Sequence, residues 1–313
     1  MRTRTASSLM TVAILMLAVS SVAGESPPGL SLRPAPLATA EQVSLVRAEL
    51  VCDVTAVEPG KPFRLGVLYH IKRGWHIYWR NPGDSGVPTN VTFKLPSGWT
   101  AGELQWPAPQ RMDADMIIGY GYADTVLLWA TVTPPADLPA DQAVTLTVDT
   151  DWLACADRCV IGQAPGLALS LPAGQAKASA ARDTFDQWAK RVPIPADAAD
   201  SPAKVTVQAE GQQVTVQLAW HEAVTGVGVF PGTGPNAEVE DLREQSKDQH
   251  STITFSIKPI TGIAGVREAD RAASSPTFPL VVAGKTAKGQ PVSVSVPIQI
   301  PLAPTGAAAQ PDA

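Results

Sequence analysis

Short runs of alternating apolar residues, each stopped by a turn rich in Pro or Gly, recur along most of this sequence and leave little room for anything but β structure. Phe63 to Ile71 follows Glu58-Pro59-Gly60, Val91 to Leu95 precedes Pro96-Ser97-Gly98, and Val144, Leu146 and Val148 share one face of a strand. The last run, PVSVSVPIQI, is the most regular and puts Val292, Val294, Val296, Ile298 and Ile300 on a single face. Proline supplies 29 of the 313 residues, against a usual share of about 5%, and this disfavours long helices. The expected class is all-β, built from sandwiches of short strands.

The ends of the chain read differently. Arg2 and Arg4, an apolar run from Leu9 to Val19 and the small residues Ser21-Val22-Ala23-Gly24 form a signal-peptide pattern over residues 1–24. The apolar run falls short of the roughly 20 residues a bilayer span needs, so cleavage and export are expected, with no membrane span after signal removal. Residues 25–40, rich in Pro and Ala, read as a flexible leader, and 303–313 as a disordered tail. Between them the length prior gives roughly two domains. The β pattern of 41–173 is interrupted at 174–200, where Phe185, Trp188 and Ala189 fall at helical spacing, and it resumes over 201–302. The segment 174–200 is therefore expected to hold a short amphipathic linker helix between two β domains. In the second domain, Val214, Val216, Leu218 and Trp220 alternate after a turn at Glu210-Gly211, which predicts a hairpin.

Charge narrows the function. The chain carries 24 Lys and Arg against 29 Asp and Glu, and removal of Arg2 and Arg4 leaves 22 − 29 = −7. Nucleic acid and anionic membrane surfaces are poor partners for such a surface. Four scattered histidines define no catalytic triad, and neither a Gly-rich phosphate loop nor an HExxH motif is present. His76, within Trp75-His76-Ile77-Tyr78-Trp79-Arg80, reads as a wall residue among aromatics.

The chemistry is concentrated in Cys155-Ala156-Asp157-Arg158-Cys159. Closing so small a loop stabilises a fold by only about 2 kcal/mol, against about 4.7 kcal/mol for a 100-residue loop. As a staple the bridge is weak, and small strained rings behave as exchangeable disulfides. Three other readings stay open at this point. The bridge is an inert local staple, or the thiols bind copper with His70, His76, Met112 or Met116 as further ligands, or the domain is a non-enzymatic interaction module. Cys52, on one strand face with Leu50 and Val54, reads as a buried thiol packing as a small hydrophobe.

Four segments together resemble a known family. They are Gly74-Trp75-His76-Ile77-Tyr78-Trp79-Arg80-Asn81-Pro82-Gly83-Asp84-Ser85-Gly86, Leu104-Gln105-Trp106-Pro107-Ala108-Pro109, Gly119-Tyr120-Gly121-Tyr122, and Asp151-Trp152-Leu153-Ala154 leading into the Cys pair. In order and spacing, over about 41–173, they are similar to the N-terminal periplasmic domain of the thiol:disulfide interchange protein DsbD and its ScsB-type relatives. The second β domain, including Val229-Phe230-Pro231-Gly232, resembles the region that follows in ScsB-type proteins.

The resemblance implies two tandem immunoglobulin-like β-sandwich domains and a periplasmic protein-disulfide reductase or thiol–disulfide interchange component. Its partners would be thioredoxin-like or other exported disulfide proteins, with no cofactor and no metal. It also implies that Cys159 forms the mixed disulfide and Cys155 resolves it. A cap within Arg111 to Tyr122 would shield the pair, with Met112, Ile117, Ile118, Tyr120 and Tyr122 as its side chains. Two departures stand out. Val160-Ile161-Gly162 follows the second Cys where the family commonly has Pro, and no membrane carrier or thioredoxin-like domain is read in the sequence, so a separate membrane electron donor is expected.

Overall fold

The computed structural model describes residues 45–114, 117–139, 143–232, 237–259 and 277–299. The expected signal segment 1–24, leader 25–40 and tail 303–313 lie outside the described residues. Strands dominate, as the alternation requires, and the first ten fall into two sheets. They are β1 (Val46–Cys52), β2 (Phe63–Ile71), β3 (His76–Gly83), β4 (Asn90–Lys94), β5 (Thr100–Ala101), β6 (Gln110–Ala114), β7 (Ile117–Ala123), β8 (Thr125–Thr133), β9 (Ala143–Cys155) and β10 (Cys159–Pro172). One sheet runs β1-β2-β8-β5, and the other runs β10-β9-β3-β7-β6 with β4 paired to β9. Period-two alternation drives the two sheets together. Leu65, Val67 and Tyr69 of β2 bury against a core shared with Leu146, Val148 and Trp152 of β9. The phenol of Tyr69 finds its partner in the Thr150 hydroxyl and stacks edge-on against Trp152 at 5.7 Å, so its polar end is not left unpaired in the core.

The segment after β10 does form a helix, α1 (Arg182–Ala189). Its one fully buried side chain is Phe185, which meets Trp129 of β8 edge-on at 6.3 Å. Arg64 bridges the helix to the sheet by pairing with both Asp53 and Asp186 while its guanidinium lies 5.2 Å from the Phe185 ring. The expected hydrophobic spacing is thus used against the first pair of sheets, and β11 (Ile194–Pro195) then pairs in parallel with the strand Pro291–Gln299.

The second group comprises β12 (Ala203–Glu210), β13 (Gln213–Trp220), β14 (Val224–Pro231), β15 (Ala237–Lys247), β16 (His250–Pro259), β17 (Thr277–Thr286) and β18 (Pro291–Gln299). Its sheets run β11-β18-β17-β14 and β12-β13-β16-β15. The hairpin predicted around Glu210-Gly211 is present, with Glu210 facing Gln213 and Gly211 at φ +59°. That left-handed turn residue is where glycine has no steric penalty. Val294, Val296 and Ile298 of the last strand are buried, Val292 packs half-buried beside them, and Ile300 lies outside the described residues. The protein is therefore all-β with several sheets, as a β-sandwich architecture requires.

All described residues belong to one compact unit. The first core also takes in Phe230 and Val281 from β14 and β17, and Phe230 meets Tyr120 of β7 edge-on at 5.4 Å. Beside it, the side-chain amide of Asn81 donates to the Pro231 carbonyl at 2.8 Å.

Candidate functional site

Cys155 ends β9 and Cys159 begins β10, so the two face each other across an antiparallel pair. They are joined as a disulfide with Cα atoms 4.2 Å apart, a spacing close to that of directly opposed residues in a non-hydrogen-bonded pair. Ala156, Asp157 and Arg158 close the hairpin, and the Ala156 N–H donates to the Arg158 carbonyl at 3.0 Å. The two sulfurs are not equivalent in their surroundings. Cys155 is 2% exposed, whereas Cys159 is exposed.

The ladder continues across the sheet from this pair. Cys155 faces His76 of β3, and His76 faces Ala123 of β7. Residues directly opposed in register share a face, so Cys159, Cys155, His76 and Ala123 form one row on the outer side of the sheet. His76 is half-buried and meets Tyr78 edge-on at 5.1 Å, and burial pushes its imidazole below the ordinary histidine pKa. Above the row, the Arg158 guanidinium lies 5.9 Å from the Trp75 ring. Behind it, the indole of Trp152 covers Gly162, where an added Cβ would come within 2.2 Å of the ring nitrogen. The residue two places beyond Val160 is glycine because the Trp152 ring occupies the space of a side chain.

The predicted cap is a hairpin, β6–β7, at the opposite edge of the same sheet from β10. Its residues divide by strand parity. Tyr120 and Tyr122 turn into the core, where the Tyr122 hydroxyl donates to the Pro107 carbonyl at 2.7 Å and burial raises both phenol pKa values. Met112 faces Gly119 on the outer side and is half-buried. The Tyr78 ring and Met112 flank Gly119, whose missing Cβ would sit 3.6 Å from the Met112 Cβ and 3.7 Å from the Tyr78 ring. Met112, Tyr78 and His76 thereby lead towards Cys155 along one face. Ile117 is 49% exposed and lies six residues along β7 from Ala123, and Ile118 beside it is half-buried.

Cys52 is a free thiol buried on β1, donating to the Val54 carbonyl at 3.0 Å, with its pKa raised by burial. Among the described residues no three His, Cys, Asp or Glu side chains are grouped as metal ligands. His70 lies beside Glu49 at 3.8 Å, and Met116 lies outside the described residues. Sequence reasoning missed the placement of His76 against Cys155. The only local signal for it is that both sit at strand ends, since the register between two distant strands decides the pairing.

Comparison with known proteins places this geometry. The family model described as "Thiol:disulfide interchange protein DsbD, N-terminal" matches residues 42–171, the stretch that holds the cysteine hairpin. Residues 42–171 are thus similar to the DsbD N-terminal domain. The crystal structure of the N-terminal periplasmic domain of ScsB from Proteus mirabilis is similar to this chain at a TM-score of 0.55 and 18% identity. The likeness covers 82% of this chain and 92% of that one, so the shared fold runs beyond residues 42–171 into the second group of strands. A protein of unknown function from Porphyromonas gingivalis W83 aligns over 82% of this chain and 99% of its own at 8% identity, with a TM-score of 0.23, too low to indicate a common fold. Among curated proteins none matches. Similarity to the DsbD N-terminal domain together with a cysteine pair points, at a general level, to thiol–disulfide interchange.

Proposed function

We propose that this protein is an exported, periplasmic thiol–disulfide exchange component that passes reducing equivalents to or from other disulfide proteins through Cys155 and Cys159. The observation that carries the reading is the unequal exposure of the two sulfurs in a domain similar to the DsbD N-terminal domain. A partner thiolate or disulfide reaches Cys159, and buried Cys155 is left to close or open the intramolecular bond. In the reducing direction, the Cys159 thiolate attacks a partner disulfide and releases one partner thiolate. Cys155 then attacks Cys159, the second partner thiolate leaves, and two electrons have moved to the partner. The only other cysteine of the chain is buried Cys52, so the pair is reloaded from outside, by a membrane electron donor.

The rest of the assignment follows the same reading. The two groups of strands are tandem immunoglobulin-like sandwiches, over 41–173 and 201–302, connected through α1. Tyr120 and Tyr122, with Ile118 on the same face, anchor the β6–β7 hairpin to the core, and Met112 and Ile117 form its movable, shielding side. Thioredoxin-like proteins are the partner class.

Redox titration of the mature protein in glutathione buffers, with thiols alkylated and counted by intact mass, tests the proposal. An exchangeable pair titrates as two thiols with a potential above about −300 mV. A pair that stays oxidised below that value is structural, and the exchange reading then fails. Cys159→Ser is expected to abolish mixed-disulfide formation, and exchange at the wild-type rate in that variant would remove Cys159 from its role.

A further inference from the structure

We propose that His76 carries the proton of Cys155 during exchange, taking it when Cys155 attacks the mixed disulfide and returning it when Cys155 is the leaving group. This inference rests on the exchange reading above. Its basis is the row Cys159, Cys155, His76, in which His76 and Cys155 are opposed across β3 and β9 on the outer face. Side chains so placed have Cβ atoms about 4.5–5.5 Å apart, within reach of an imidazole nitrogen for a neighbouring sulfur.

The need for such a group follows from burial. Cys155 is 2% exposed, so a thiolate formed there has little water to stabilise it, and an unpaired buried charge is costly. An exposed leaving group could use solvent, and Cys155 cannot. The candidates around it are few. Arg158 and Asp157 lie in the turn, Tyr78 lies two residues after His76 on β3, and Asp124 lies just past the end of β7 at Ala123. Arginine stays protonated, and burial raises the Tyr78 phenol above its ordinary value. Histidine alone among unperturbed side chains exchanges a proton between about pH 5 and 8. Burial lowers the His76 pKa, which makes the imidazole neutral at neutral pH and hence an acceptor. Its half-buried position lets it trade the proton with solvent afterwards.

The step balances. The Cys155 thiol gives its proton to the His76 imidazole, its electron pair forms the bond to the Cys159 sulfur, and the bond from Cys159 to the partner breaks with its electrons on the partner sulfur. In reverse, the partner thiolate attacks Cys159, and the His76 imidazolium protonates the departing Cys155.

The test follows reduction of the Cys155–Cys159 disulfide in the mature protein by dithiothreitol, across about pH 5 to 8. Rates are corrected to the dithiothreitol thiolate present. In wild type the corrected rate should fall at least about tenfold as pH rises through the His76 pKa, the size of a modest general-acid contribution. In His76→Gln it should be flat and about tenfold lower at the acid end. Superimposable profiles overturn the proposal. A wild-type disulfide that dithiothreitol does not reduce sinks the exchange reading itself, and this inference with it. Nuclear magnetic resonance titration of His76 in the oxidised and reduced wild-type protein needs no variant. Proton coupling requires its pKa to differ between the two states, and identical values overturn the proposal.

Discussion

The two groups of strands bury their faces in the same way and each has two interrupted ladders, but the widest interruption lies in the first. In the second group, β12 pairs with β13 without interruption from Ala203–Trp220 to Glu210–Gln213, and β17 pairs with β18 from Thr277–Gln299 to Lys285–Pro291. In the first, β3 pairs with β7 from His76 to Tyr78, then skips to Gly83, and it meets β9 only at His76 and Ile77. An unbroken ladder satisfies its own backbone. The interrupted stretch Trp79–Pro82 instead sends a side chain to the second group, where the Asn81 amide donates to the Pro231 carbonyl. The cysteine hairpin adjoins the interrupted side of the molecule, where side chains are free to face one another in ways that simple alternation does not dictate.

The largest expected effect tests whether the second group props the first. Phe230 belongs to β14 by chain, yet it is 4% exposed within the first core, against Tyr120. Phe230→Ala should cost about 3–5 kcal/mol, the range for a buried aromatic. Urea unfolding measures the loss, and hydrogen exchange should locate part of it in β7. Unchanged protection of β7 in this variant means the two groups are independent, and the comparison breaks.

What the sequence made legible follows the same division. Strands such as Phe63–Ile71 and Pro291–Gln299 are readable because a period of two is a local property, and the cysteine pair is readable because its members are four residues apart. Helix α1 was also visible, through the spacing of Phe185 and Trp188. The opposition of His76 and Cys155 is not local. It depends on the register of β3 on β9, which no short window contains. The two faces of the β6–β7 hairpin were hidden for a related reason, since Tyr120 and Met112 differ only in parity and in what packs against them. Val229-Phe230-Pro231-Gly232 carries no local sign of which core it joins, and only the tertiary contact reveals that Phe230 serves the other core.

A middle-sized effect separates side-chain bonds made at a break from those made on a continuous ladder. Asn81 donates to the Pro231 carbonyl and accepts from the Gly83 N–H at 3.0 Å, both part-buried. Asn81→Ala leaves both groups unpaired and should cost about 1–3 kcal/mol. Gln213 donates to Ser256 at 2.6 Å from an exposed position on the intact β13–β16 ladder. Gln213→Ala should stay within about 0.5 kcal/mol of wild type. Equal losses by denaturant titration would show that the interruption in β3 carries no special demand.

The smallest effect concerns the solvent-facing edges, where the difference between the groups should vanish. In the first, Lys94 of β4 pairs with Asp149 of β9, and in the second, Lys258 of β16 pairs with Glu240 of β15 at 3.1 Å. The Lys94 hydrogen bond, followed by one from the Gly166 N–H, holds the Asp149 carboxyl below its usual pKa. A depressed folded-state pKa contributes stability above the unfolded value of about 3.9 and loses it as pH falls through the lower folded value. Solvent screening keeps such pairs small, so Asp149→Asn should change stability by at most about 0.5 kcal/mol near neutral pH. The difference from wild type should close in acid, where both chains are neutral at that position. Added salt should shrink it at neutral pH as well. A larger, salt-resistant loss would mean that β9 depends on this surface pair to stay in register beneath the cysteine hairpin, and the contrast between the groups would then extend from the core to the surface.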